Sequence, residues 1–233
     1  MRDDFSTYPS GYKTFRKTFN KELRSAAKAR GFRLTDGTLW REQNEFFTRC
    51  AVLLCWEKMA VELYPSIKAL ESDGLAWDVL GMSSNRQERM SLHATAAFRG
   101  PALPLDDVFP ERSLSFSSEG DAATVAETIA AALEEGAARA LSAIGTQRRF
   151  FELVRERCER EAREEGRDPA GFGYCIALIG LGEVARARAV AAPTAAKGPV
   201  RDVFRYGVGD KGDAALIVEY CDRLLAGEGE GHE

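Results

Sequence analysis

The chain has 233 residues and a mass of 25.6 kDa, with 45% hydrophobic and 29% charged residues, 32 Lys+Arg against 36 Asp+Glu, and a net charge of −4. This is ample for a packed core without disulfide staples and too acidic for a protein coated in nucleic acid. No run approaches the ~18 apolar residues of a membrane span, and five cysteines behind an N-terminus, MRDDFSTYPSGYK, that lacks an apolar leader core predict reduced thiols in a cytoplasm.

Tyr12 to about Arg30 predicts a helix. Tyr12, Phe15, Phe19, Leu23 and Ala26 or Ala27 recur at spacings of three and four. Ser10 is its candidate N-cap and Gly31 the left-handed residue that ends it. Lys13, Arg16, Lys17, Lys21, Arg24 and Lys28 cover the other faces, and residues 1–33 carry nine Lys+Arg against three Asp+Glu. Such a face is either simply solvated or a patch for phosphate or an acidic partner.

Phe32 to Phe98 is strand-like. Asp36-Gly37 is a turn before Thr38–Gln43, and Asn44-Glu45 joins that strand to the run Phe46–Lys58 as a hairpin. Apolar residues on both faces of that run predict a central strand covered at least partly on both sides. Met59–Leu63 reads as a further strand or as the continuation of the run before it, after which Pro65 predicts an edge or loop. Met90–Phe98 alternates apolar and polar and predicts a fourth strand, with His93 on its polar face. Between these strands lies SDGLAWDVLGMSSNRQERMSL, which carries Trp77, Asp78, Asn85 and Arg89. A loop rich in named side chains is where function sits on such a scaffold. Leu75-Ala76-Trp77, Val79-Leu80 and Met82 fit equally a short helical plug whose tryptophan is core.

Pro101, Pro104 and Pro110 mark Arg99–Glu119 as a linker or as a chain wrapping the sheet. Helices follow at Asp121–Ile144, with Gly136 tolerated inside it, at Arg148–Glu165, around Phe172–Ile179, at Glu183–Ala192 and at Asp213–Leu225. In the second of these, Glu152–Arg155 and Glu156–Arg160 have helix-neighbour spacing. Pro193 and Pro199 end the penultimate segment. The tail GEGEGHE has nothing apolar to anchor it. The domain organisation predicted is a sheet domain over residues 1–105, a linker over 106–120, a helical region over 121–226 and a free tail.

Little of the sequence carries chemistry. His232 lies in the tail, which leaves His93 as the one candidate imidazole base. Gly180-Leu181-Gly182-Glu183-Val184-Ala185 and Gly207–Gly212 match dinucleotide fingerprints, but neither sits in a βαβ unit with a strand to follow. Cys50 and Cys55 point to opposite faces of one strand, and Cys158, Cys175 and Cys221 lie on apolar helix stripes. No metal and no cofactor are predicted.

Gly31-Phe32, Leu39-Trp40-Arg41, Ile67-Lys68, Trp77-Asp78-Val79-Leu80-Gly81-Met82 with Asn85, Ser91-Leu92 and Ala97-Phe98 follow the N-terminal helix in that order. Over residues 12–105 this layout resembles a group of uncharacterised bacterial α+β domains, some of which sit among polymorphic-toxin immunity proteins. The resemblance implies a fold layout and a protein-binding role, and it carries over no catalytic residue. The expectation is therefore an α+β protein, an antiparallel meander of four to five strands packed by helices and followed by C-terminal helices. It binds another protein, occluding it in the manner of an immunity protein through an acidic sheet-and-loop surface at Trp77, Asp78, Asn85, Arg89 and His93. The alternative is nucleic-acid binding through the basic N-terminal helix in a defence or mobile-element system. A third class, an enzyme built around His93, needs that imidazole for chemistry. Neither reading involves a membrane.

Overall fold

The computed structural model describes residues 10–87, 100–198 and 212–227. The chain divides into two compact units, Met1–Gln43 with Phe47–Ile67 and Pro104–Ala143, and Asn44–Phe46 with Lys68–Leu103 and Ile144–Glu233. This division does not follow the boundary expected near residues 105–121. The helix after that boundary packs with the N-terminal helix, because its apolar stripe and that of the N-terminal helix bury in one core.

The first unit begins with α1 (Ser10–Ala29). Its apolar stripe is buried at Phe15, Phe19, Leu23 and Ala27, as the three-four spacing requires. It stops in a paired cap. Gly31 takes φ +73°, the Phe32 N–H donates to the Ala27 carbonyl at 2.9 Å and the Gly31 N–H to the Lys28 carbonyl at 3.2 Å. Two hairpins follow, β1 (Arg33–Thr35), β2 (Thr38–Gln43) and β3 (Phe46–Cys55). Both turns have two left-handed residues, Asp36 and Gly37 at φ 46° and 74°, and Asn44 and Glu45 at 51° and 64°. That conformation matches the twist of the flanking strands.

A 3₁₀ turn, Trp56–Lys58, leads through left-handed Met59 into β4 (Ala60–Ala69). The strand passes straight through Pro65, where the sequence predicts an edge or a loop. The Pro65 carbonyl accepts the Leu105 N–H at 3.0 Å. A strand residue's N–H and C=O point the same way, so the missing donor faces the very short β5 (Leu103–Pro104) and costs the long β3 pairing nothing. The sheet is antiparallel in the order β1-β2-β3-β4-β5, with β6 (Ser113–Ser115) also on β4 through Ala60↔Ser115, Val61↔Leu114 and Glu62↔Ser113. The segment 106–120 is thus part of the sheet and not a linker, and it adds Phe109 and Phe116 to the core. The ring of Phe116 stacks on Phe15 at 4.2 Å. The strand expected at Met90–Phe98 lies outside the described residues.

Along β3 the even-numbered residues from Phe46 to Val52 are buried, while Leu53 on the other face is 50% exposed. On that second face Phe47 is buried and Arg49 and Ala51 are half-buried, so the partial cover expected there is present and runs out at Leu53. α3 (Ala122–Ile144) closes the first unit's core with Val125, Ile129 and Leu133. Gly136 is required there, since an added Cβ would overlap Val108 Cγ2.

The second unit holds α2 (Leu70–Val79), α4 (Gln147–Glu164), α5 (Phe172–Gly180), α6 (Val184–Ala195) and α7 (Asp213–Leu225). Thr146 caps α4, its hydroxyl accepting the Arg149 N–H at 3.1 Å. The ion pairs along α4 join Arg148 and Arg149 to Glu152, Arg149 to Glu156 and Arg157 to Glu161, in place of the two expected. Gly180-Leu181-Gly182 joins α5 to α6, with Gly182 at φ +79° and the Glu183 N–H on the Leu178 carbonyl at 2.8 Å. Helix precedes and follows this motif, so its glycines make a helix–helix turn and not a phosphate loop. Pro193 does not end α6 but sits in its last turn.

Candidate functional site

The basic residues of the N-terminal segment separate into two groups once folded. Those nearest its end are used by the fold. Arg30 pairs with Glu127 and with Glu134 at 3.4 Å on α3, the Arg33 guanidinium stands 5.2 Å from the centre of the Trp40 ring, and Arg41 lies over Phe32 while donating to the Arg30 carbonyl at 3.2 Å. The six on the outer face of α1, Lys13, Arg16, Lys17, Lys21, Arg24 and Lys28, are all exposed. Among the described residues Lys13, Lys17, Arg24 and Lys28 form no ion pair, and Lys21 meets its neighbour Glu22 at 3.8 Å. Lys13, Lys17, Lys21, Arg24 and Lys28 succeed one another at intervals of four, four, three and four, which keeps them in one row about 22 Å long. Thr14, Thr18 and Asn20 line the same shallow furrow and supply uncharged hydrogen-bonding groups.

Beside this row the first unit opens a cleft of about 510 Å³. Arg16, Asn20 and Arg24 form its α1 wall, Leu34, Asp36 and Gly37 its β1 wall, and Val52, Leu53 and Leu54 its floor. The floor exists because β3 outruns its partner. The Val52 N–H reaches back to the Gly37 carbonyl in the turn at 2.8 Å, and β3 continues three residues further to Cys55. The guanidinium groups of α1 therefore stand over the end of β3, whose Val52 and Leu54 belong to the core face, while the exposed Leu53 side chain lies on the opposite face.

The predicted surface around Trp77 looks different in the second unit. Trp77 is 1% exposed, so it is core and offers a partner nothing to touch. The helical plug is the arrangement found. Asp78 is held by Arg86, whose Nε lies 3.1 Å from both carboxylate oxygens, and Arg86 also reaches Glu71 at 3.1 and 3.2 Å. These bonds, the one to Asp78 above all, raise the guanidinium's already high pKa further. Gly74 makes room for it, since a Cβ there would overlap the guanidinium. Asn85 is half-buried, and its N–H donates to the Met82 carbonyl at 2.9 Å. Arg89 and His93 lie outside the described residues. Arg86, the residue that organises this cluster, was not singled out by the sequence, where it is one arginine among several in a polar stretch.

A second group also escaped the sequence. Lys68 and Asp73, with side chains 2% and 0% exposed, form a buried ion pair. Asp73 also accepts the Gly100 N–H at 3.0 Å, and the Ser72 hydroxyl bridges the Ala69 and Pro101 carbonyls at 2.7 and 3.3 Å. An added Cβ at Gly100 would overlap the Ser72 backbone. This clamp fastens Gly100-Pro101 to the start of α2.

Burial raises the thiol pKa of Cys50 and of Cys175 to about 12, which leaves neither a thiolate near neutrality. Burial, and then the bond to Glu159, raises Tyr174 to about 12. Its hydroxyl sits 2.9 Å from Glu159 and 2.7 Å from Arg186 in a network that ties α4, α5 and α6 together. Among the described residues no group of three His, Cys, Asp or Glu could hold a metal ion, and no helix is long and apolar enough to cross a membrane. Comparison of the chain with family models, curated proteins and solved structures finds no match.

Proposed function

We propose that this protein is a binding module for another protein, and that the contact is made by the basic row of α1 and not by the segment around Trp77. One observation carries this reading: a row of exposed cations runs the length of α1 and borders a cleft in the same unit. A protein surface rich in carboxylates complements that row, the charges steering encounter and fixing register. The module would act by covering its partner's acidic face, which is the occlusion that the likeness to immunity-protein domains implies.

A nucleic-acid partner is the second reading, favoured by the Thr14, Thr18 and Asn20 hydrogen-bonding groups among the lysines, a composition suited to phosphate oxygens. Among the described residues α1 offers it no stacking platform. The aromatic residues of α1 at Tyr12, Phe15 and Phe19 are buried, and the exposed large apolar residues among those described are Leu53, Tyr64 and Leu225.

The test is affinity capture from the source cells with the tagged chain and with its Lys17→Glu/Lys21→Glu variant, compared by mass spectrometry and by the 260/280 nm absorbance ratio. A stoichiometric protein retained by the parent and lost by the variant supports the reading. Nucleic acid that elutes as salt rises replaces it with the second. A protein partner retained equally by the variant moves the contact off α1.

A further inference from the structure

We infer that the row on α1 is the docking face for an acidic helix of the partner, whose glutamates recur on one stripe at the spacing of the row itself. This rests on the protein-binding reading and adds the partner's secondary structure and the placement of its charges. Three features select that occupant. The first is what the face offers. Lys13, Lys17, Lys21, Arg24 and Lys28 are exposed, the one carboxylate of α1 is Glu22, and no large apolar side chain of α1 is exposed among the described residues. Contact with this face is therefore made by charge and by hydrogen bonds. The second is rise. The row spans about 22 Å in four steps, which averages about 5.5 Å a step. A helix with glutamates at the same intervals rises equally at every step, so each carboxylate lies opposite a cation. Alternate residues of an extended chain lie about 6.6 Å apart, so four steps overshoot the row by about 4 Å and the last carboxylates fall out of register. The third is relief. Thr14 and Thr18 are short and lie beside the lysines in a shallow furrow, which admits the side-chain ridge of a second helix. The fold already uses this pairing once. Arg30, just past the end of α1, holds Glu127 and Glu134, which stand two turns apart on α3.

The experiment is fluorescence anisotropy at low salt with the full-length protein and three labelled peptides of equal charge, built on alanine and glutamine. The first carries five glutamates on one stripe, at intervals of four, four, three and four. The second has the same composition with the glutamates spread round the helix. The third is the first with a central proline, which breaks the helix. The stripe peptide is expected to bind about tenfold more tightly than either companion, the sum of several exposed pairs made together. Its affinity should fall with added salt. Like charges at these intervals repel on a free helix, and the cations relieve that repulsion, so its helical circular dichroism should rise on binding. Lys21→Gln/Arg24→Gln, at two exposed positions, should leave the melting temperature in place and erase the advantage of the stripe.

Equal binding of the three peptides, or of none, overturns the acidic helix. If the partner captured from cells nevertheless depends on Lys17 and Lys21, the row meets a different acidic surface and the module reading survives. If a single-stranded oligonucleotide binds and no acidic peptide does, both fall.

Discussion

At the scale of single residues, the Lys68–Asp73 pair is buried on both sides. Removing one partner of a buried pair strands the other charge, which costs about 3–5 kcal/mol. Lys68→Met should therefore lower stability by about that amount in urea titrations followed by circular dichroism. Adding Asp73→Asn, which keeps an acceptor for the Gly100 N–H, should recover most of the loss. A cost below ~1 kcal/mol for Lys68→Met alone would mean that Asp73 is not stranded and that the pair is not sealed from water. Gly136 reverses an ordinary rule. Glycine to alanine inside a helix usually stabilises by about 1 kcal/mol, but here the added methyl meets Val108. Gly136→Ala should destabilise by about 1–3 kcal/mol, and the double change with Val108→Ala should restore much of that. None of these contacts could be read from the chain. Lys68, Asp73 and Gly100 are distant in sequence and carry no local pattern, and Gly136 looks like any glycine in an alanine-rich helix.

At the scale of elements, legibility follows periodicity. α1, the two hairpins, α3 and α7 were legible because a one-sided stripe or a two-residue turn announces itself within a few positions. α2 was legible only as one of two alternatives, a helical plug or a loop, because it buries Ser72, Asp73 and Gly74 as well as Ala76, Trp77 and Val79, so no polar face marks it as a helix. β5 and β6 were missed because two or three residues cannot display a period of two. The exposure of Leu53 was concealed by the opposite effect. An apolar run reads as covered on both sides, and only the packing shows that the second face of β3 is bare at Leu53. The β2–β3 turn gives a test of local strain, since Glu45 holds φ 64° without being glycine. Glu45→Gly should stabilise the protein by about 0.5–1 kcal/mol, seen as a raised urea midpoint; a lowered midpoint would mean that the lost Glu45–Gln147 bond of 2.9 Å outweighs the relief.

For the whole molecule, titration sets a stability plateau with two edges. The bonds to Ser117 lower the Asp121 carboxyl, those to Lys58 lower Glu62, and those to Arg186 lower Glu183. A depressed carboxylate stabilises only while the unfolded group would be ionised, so stability should fall as pH drops below about 4–4.5. Cys50 and Cys175 are raised from 9.0 to about 12, so the unfolded chain releases those protons first and stability should decline as pH climbs from about 9 towards 12. Melting temperatures across the pH range should show both edges, and a flat profile above pH 9 would mean that the thiols are solvated. Cys50, Cys175 and Cys221 are buried, so at pH 8 a thiol reagent should reach at most the two half-buried ones, Cys55 and Cys158, until denaturant is added. The row on α1 has an equally general consequence. A chain of net −4 whose first 33 residues carry +6 is left with −10 over the rest. Such a molecule is electrically lopsided, and a charged surface samples the face it meets and not the sum. At neutral pH it should adhere to negatively charged beads as well as to positive ones, although an isoelectric point near 5.5 assigns it to the positive kind alone.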